Sequence, residues 1–259
     1  MNGRVTQLRT MIEREDAGDI AVVRLAHGPV NAMDLELCAA LTDECRSLAA
    51  GPARAVVLTG RGSSFSAGAD LHRLLDGGPA YTEKFFPALG QVFTALFTIG
   101  KPVVAAVNGH AIAGGCVLAA AADVALMADG KGRIGVPELA VGVGFPRIAL
   151  EILAYKAGES TARKLILSAG TYGPAKATEF GLVDHVFGAD VLLREAITAA
   201  RALADGIPAD AFAFAKAQLQ RGVLARAAAL DDDADAKHIW LSRLRDDWVQ
   251  QYLDSLKTR

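Results

Sequence analysis

The sequence predicts an α/β protein of stacked ββα or βα units that ends in a run of helices, and three observations carry that prediction. Short apolar runs at Ala55 to Thr59, Val103 to Val107 and Val124 to Ala128 read as buried strands, each closed by a glycine-containing turn. Helical patterns follow the first two turns. From Pro146 onward the periodicity is almost entirely helical, with Gly or Pro between most segments.

In order, Asp19 to Leu25 reads as a strand and Gly28-Pro29 as a turn. Asp34 is placed to cap an amphipathic helix carrying Leu37, Leu41, Cys45 and Leu48 at three- and four-residue spacing, ended by Gly51-Pro52. After the Ala55 to Thr59 strand, Ser64 to Leu71 reads as a turn. Asp76-Gly77-Gly78-Pro79 reads as a loop, and Thr82 to Leu96 as a helix with Phe85, Leu89, Val92 and Leu96 inward. Pro87 is expected to kink it or delay its start.

The central stretch, Lys101 to Asp123, opens as a Val-rich strand that ends at Asn108-Gly109. Gly114-Gly115 then stand where a helix begins, ahead of an Ala-rich run expected to be packed on all sides. Bare backbone at a helix start lets N–H groups approach a ligand. Arg61 to Leu71 forms a similar turn, and two N–H donors from two such loops can converge on one oxygen, as a thioester enolate requires. Taken alone, a glycine pair between strand and helix is also just a tight turn.

Arg133 to Val136, after the Asp129-Gly130-Lys131-Gly132 turn, reads as a strand. Helices are expected over Pro146 to Ala157, Ser160 to Ser168, Pro174 to Phe180, Val191 to Ala204 and Pro208 to Leu219, with Gly181 to Val186 extended. Ala236 to Leu256 reads as one helix with Trp240, Leu244, Trp248, Tyr252 and Leu256 at four-residue spacing, a packing or subunit-contact face.

Composition narrows the function. The 259 residues are 52% apolar and 22% charged, enough for a large core. A net charge of -2 without a basic cluster gives no footprint for nucleic acid. Pro102 to Ala128 is apolar, but Asn108, His110 and Asp123 interrupt it, which favours a buried strand–helix–strand unit over a membrane span. Met1 to Glu15 lacks an apolar core, and Glu13, Glu15 and Asp16 argue against a transit peptide despite Arg4, Arg9 and Arg14. The three cysteines, Cys38, Cys45 and Cys116, have no metal-ligand spacing and fit reduced thiols, hence a cytoplasmic location. The five histidines form no metal pattern, and a dinucleotide turn or Gly-Lys-Ser/Thr loop is not expected.

Glu138, after Pro137 in an apolar run, would resist ionisation if buried and so act as a base near neutral pH, although spacing alone allows a surface turn equally well. Cys116 at the glycine pair reads as a small buried hydrophobe rather than a nucleophile, and no Gly-x-Ser-x-Gly elbow supports Ser66 as one.

Phe65-Ser66-Ala67-Gly68-Ala69-Asp70-Leu71, and Asn108-Gly109 through Gly114-Gly115 to Asp123, resemble the two oxyanion-loop signatures of the enoyl-CoA hydratase/isomerase family, the crotonase superfamily. Gly173 to Val183 resembles the family's helix leading into a Gly-Leu-Val strand. The resemblance covers nearly the whole chain. It implies a crotonase-like spiral of ββα repeats over residues 1–195 and a C-terminal helical trimerisation region over 196–259, assembled as a trimer or a hexamer. It also implies an acyl-CoA thioester substrate, with CoA part of that substrate and no separate cofactor or metal.

By the same resemblance the N–H groups of Ala69 and Gly114 form the oxyanion hole and Glu138 is the acid/base. Ser66, Ala67, Asp70, Leu71 and Gly115 lie along the CoA, and Asp123 holds a helix-to-strand junction. The family's hydratases carry a second glutamate just after the glycine pair, where this chain has Val117. Hydration needs both; moving a double bond needs one. Gly28 to Met33, Ala113 to Val117 and the Trp248 to Leu256 tail look more like mitochondrial-type Δ3,Δ2-enoyl-CoA isomerases, whereas Pro137-Glu138 is a hydratase-style context. The expectation is a fatty-acid-metabolism isomerase, with an enoyl-CoA hydratase and a non-catalytic acyl-CoA-binding protein as alternatives. A thioesterase or decarboxylase chemistry on the same hole is a further one. The acyl pocket is expected to be shaped by Leu74 to Pro79 and Phe85-Phe86.

Overall fold

The computed structural model describes residues 11–230 and 232–257, so most of the N-terminal stretch read above lies outside the described residues. Through the first half the chain runs β1 (Ile12–Ala17), β2 (Ile20–Leu25), α1 (Leu35–Ala50), β3 (Ala55–Gly60), β4 (Ser64–Ser66), α2 (Leu71–Phe97), β5 (Val103–Val107), β6 (His110–Ile112), α3 (Gly114–Ala120), β7 (Val124–Ala128), β8 (Ile134–Gly135) and α4 (Glu138–Val141). It continues through α5 (Arg147–Ala157), α6 (Glu159–Ser168), β9 (Thr171–Tyr172), α7 (Pro174–Glu179), β10 (His185–Phe187), α8 (Leu192–Ala204), α9 (Ala209–Ala229), α10 (Asp233–Arg245) and α11 (Trp248–Lys257).

The strands form two sheets, ordered β1-β2-β3-β5-β7-β10 and β4-β6-β8-β9. Each of β3–β4–α2, β5–β6–α3 and β7–β8–α4 gives one strand to each sheet and then a helix, which is the expected ββα spiral. The large sheet is parallel except for β1, which pairs antiparallel with β2 across Gly18 at φ +72°.

The central strands are continuous apolar runs because both faces are covered. Val56, Leu58, Val103, Ala105 and Val107 face a core shared with α1, α2 and α5. Alternate residues Ala55, Val57, Val104 and Ala106 pack on Leu192, Ala196 and Ala200 of α8. Helix α8 therefore straddles residue 195 while packing on the spiral.

The Asp34 cap is present: its carboxylate accepts Leu37 N at 2.8 Å, and its other oxygen lies 2.7 Å from His27 Nε2. Asp123 sits at its junction, accepting Val103 N at 2.8 Å and Lys216 Nζ of α9 at 2.7 Å.

Several expectations change. Residues 71–77 are helical, and Gly78 (φ +59°) breaks α2 just before Pro79, so the loop shrinks to a kink. The long C-terminal helix is two, interrupted at Asp246-Asp247, the latter at φ +55°. Gly130-Lys131-Gly132-Arg133-Ile134-Gly135 has the spacing of a dinucleotide fingerprint directly after β7, unforeseen in the sequence reading. It runs into β8 and so lacks the helix start that such a turn requires. Among the described residues no helix is long and apolar enough to cross a membrane.

Candidate active site

The two glycine-containing loops meet, and contact geometry explains their residue types. Gly68 is left-handed at φ +80°, and a Cβ there would stand 2.6 Å from Ile112 O, 2.7 Å from Ala113 Cβ and 3.2 Å from Gly114 N. Only glycine lets the loop after β4 lie directly on the loop after β6. A Cβ on Gly114 would likewise stand 2.8 Å from Met33 Sδ, and one on Gly115 2.3 Å from Ser66 O.

A third segment fixes the first loop. Met33 N donates to Gly68 O at 2.7 Å and Met33 O accepts Asp70 N at 2.9 Å, a parallel bridge centred on Ala69. In that register Met33 uses the neighbours of Ala69 and leaves the Ala69 N–H on the opposite side of the strand. Gly114 is the first residue of α3, where an N–H has no intrahelical acceptor. Both residues line one cavity of about 940 Å³.

Asn31, noted only as part of a family-like segment, stabilises this arrangement. It is fully buried at φ +52°, and its Nδ2 donates to the carbonyls of Arg61, Ser64 and Phe65 at 2.9–3.2 Å. Its Oδ1 accepts His27 N at 3.0 Å. Nothing in local periodicity marks such a residue, because the three carbonyls it holds lie 30 to 34 positions away.

Glu138 opens α4 on the same cavity wall. It is buried, and Oε2 has no hydrogen-bond partner among the described residues. Desolvation pushes its carboxyl up to about 8, opposed by a hydrogen bond from its own backbone N–H. Cys116 lies beneath, fully buried; burial first, and then the charge of Glu138, drive its thiol far up, consistent with an inert small hydrophobe.

Val117 lines the cavity one turn into α3. The described wall carries two Asp or Glu carboxylates, and the second, Asp70, caps α2 by accepting Arg73 N at 3.0 Å.

Ala67, Asp70 and Leu71 reach the cavity, but Ser66 and Gly115 do not. Ser66 is completely buried, with Oγ donating to Asn31 O at 2.7 Å and accepting Gly68 N at 3.2 Å. Gly115 is pressed against the Ser66 carbonyl. These two hold the loops together below the cavity wall. The acyl-pocket expectation also changes: Phe85 and Phe86 are core residues, and no residue from Leu74 to Pro79 lines the cavity. Leu89, Phe93, Phe145, Trp240, Trp248 and Tyr252 form its apolar wall instead. No group of three or more potential metal ligands occurs among the described residues.

The raised Glu138 carboxyl links stability to pH. Between about 4.5 and about 8 the folded state holds a proton that the unfolded state has released, so stability falls as pH rises through that window and levels off above it. At about 1.4 kcal/mol per unit, Glu138→Gln should gain on the order of 3 kcal/mol over wild type between pH 5 and pH 8. Urea unfolding at the two pH values measures this; parallel pH dependences in both proteins would contradict the buried-carboxyl assignment.

A family model described as enoyl-CoA hydratase/isomerase matches residues 15–243. A protein of Thermus thermophilus named putative enoyl-CoA hydratase is 36% identical over 200 residues, covering 74% of this chain and 78% of its own length. The mitochondrial enoyl-CoA delta isomerase 1 of Homo sapiens is 28% identical over 257 residues, covering 96% and 84%. The crystal structure of human mitochondrial Δ3-Δ2-enoyl-CoA isomerase aligns with a TM-score of 0.86 at 28% identity, over 96% of this chain and 98% of that one.

Proposed function

The chain belongs to the enoyl-CoA hydratase/isomerase family, and from that premise we propose that it shifts the carbon–carbon double bond of an enoyl-CoA thioester with Glu138 as its one acid/base. The observation that carries this reading is Val117. An apolar side chain stands on the cavity wall where a water-activating carboxylate would be needed, and the other wall carboxylate, Asp70, is committed to a helix cap.

In the proposed reaction Glu138 removes the C2 proton of a 3-enoyl thioester. The C2–H electron pair enters a dienolate whose oxygen accepts the N–H groups of Ala69 and Gly114. The same carboxylic acid then returns its proton at C4, and the double bond moves to C2–C3. A donor in such a hole is worth about 3 kcal/mol of barrier. A positioned base contributes a hundredfold or more. CoA enters as part of the substrate, and the steps call on no further cofactor. Ala67, Asp70 and Leu71 are the proposed CoA-side contacts.

Hydration of a 2-enoyl-CoA is the second reading, favoured by the name and 36% identity of the Thermus relative. Assembly as a trimer or a dimer of trimers is also proposed; Phe214 and Leu219, exposed on α9, are available for such contacts. Three unpaired, buried thiols support a cytoplasmic location.

If Glu138 is the base, kcat/KM for a 3-enoyl-CoA rises with pH and levels off above an apparent pKa near 8, because only the carboxylate accepts the proton. A pH–rate profile with no acid limb between 6 and 9, or an absence of turnover, counts against the assignment.

A further inference from the structure

The chain has two tryptophans, and both donate their indole N–H to the segment that carries Glu138. Trp248 Nε1 donates to Ala140 O at 3.2 Å, and Trp240 Nε1 to Gly144 O at 2.7 Å. These carbonyls flank Gly142, where the chain turns at φ +81°.

Glu138 needs outside support. It opens a four-residue helix with no side-chain cap, and no donor among the described residues holds Oε2. The carboxylate therefore inherits its position from the backbone of 138–144. Inside that segment Val143 N donates to Glu138 O at 3.0 Å and Gly142 N to Leu139 O at 3.2 Å, which close the turn without anchoring it.

The C-terminal helices supply an anchor, and the glycines record it. A Cβ on Gly142 would stand 2.9 Å from Trp248 Cδ1 and Nε1 and from Arg243 Cδ, and one on Gly144 3.1 Å from Ala236 Cβ. Both glycines admit α10 and α11 onto this loop. Trp240 is fixed in turn by Phe85 and Phe86 of α2, with ring centroids 6.1 and 6.0 Å away. Helix α2 also presents Leu89 and Phe93 to the cavity, so Trp240 ties the acyl wall to the Glu138 loop.

We infer that Trp240 and Trp248 are positioning residues for Glu138, so that the two C-terminal helices form part of the catalytic apparatus and not only a packing or subunit-contact face. This rests on Glu138 being the base. The titratable groups near Glu138 are Arg243, paired with Asp246, the Cys116 thiol, which burial keeps neutral, and Asp70, His72 and Arg133 on the same cavity wall.

The test replaces each tryptophan in the full chain by benzothienylalanine, where sulfur takes the place of the indole N–H at nearly constant shape, and separately by Phe. The first readout needs no substrate: infrared titration of the protonated Glu138 carboxyl, identified by its loss in Glu138→Gln. The second is kcat and KM on the enoyl-CoA that wild type turns over. A lost anchor lets the segment relax toward solvent, so the Glu138 titration should move down by at least about one pH unit, with kcat reduced about tenfold and KM within about twofold. A titration unchanged in both analogue proteins overturns the inference, as does a raised KM with kcat and titration intact, the result of a pocket-lining role alone. Wild type inactive on every enoyl-CoA would instead remove the base role, and the carboxyl titration would still decide whether the indoles set its environment.

Discussion

Glu138→Gln should lower turnover of a 3-enoyl-CoA by about a thousandfold or more while leaving the Kd of a saturated acyl-CoA within about threefold. Gln preserves volume and removes the one wall carboxylate among the described residues that is not engaged as a helix cap. Because Oε2 has no hydrogen-bond partner among the described residues, no network is broken and the effect is confined to proton transfer. Stopped-flow absorbance for kcat and calorimetry for Kd separate the two quantities. Equal losses in both would make Glu138 a binding residue; retained turnover would move the base elsewhere.

The second large effect is expected at Gly68→Ala. An alanine held at φ +80° costs about 1–2 kcal/mol, and its methyl would overlap Ile112 O and Ala113, adding about 1–3 kcal/mol. The protein relieves that overlap by separating the loops that carry Ala69 and Gly114. Displacing one donor from the hole lowers kcat roughly 10²- to 10³-fold. Circular dichroism establishes the folded fraction, and the infrared band of a bound thioester carbonyl reads polarisation directly. In wild type the band should lie below its solution frequency, and in the variant it should return toward it. A folded variant with wild-type kcat and an unmoved band would show that the two N–H groups are not the hole.

What was legible in the sequence was what local chemistry determines. The Asp34 cap, the apolar central strands and the start of α3 at Gly114 each depend on a few adjacent residues. The flanks of Glu138 allowed a surface turn as readily as a buried position; the family resemblance pointed to the buried one, which the structure has. Strands β4 and β6 were not separable from turns, because three residues become a strand only through partners more than twenty positions away, whereas β8 lies inside the strand read over Arg133 to Val136. The edge strand β1, Ile-Glu-Arg-Glu-Asp-Ala, is mostly exposed and too charged to display alternation. The burial of Ser66 and Gly115 was not legible for the same reason: it is decided where two loops touch, not by either loop's composition. The cavity wall joins Leu89 of α2 to Trp240 and Tyr252 of the C-terminal helices, a juxtaposition that periodicity cannot express. The indole contacts with Ala140 and Gly144 span 108 and 96 positions.

A paired assay shows whether one carboxylate acts here with two N–H donors. Purified protein is given a 3-enoyl-CoA in one cell and a 2-enoyl-CoA in the other, each followed by the conjugated thioester absorbance. Absorbance should grow from the 3-enoyl substrate and persist with the 2-enoyl one. Loss of absorbance from the 2-enoyl-CoA, abolished by Glu138→Gln, would mean that water adds without a second glutamate at position 117 and that the protein is a hydratase.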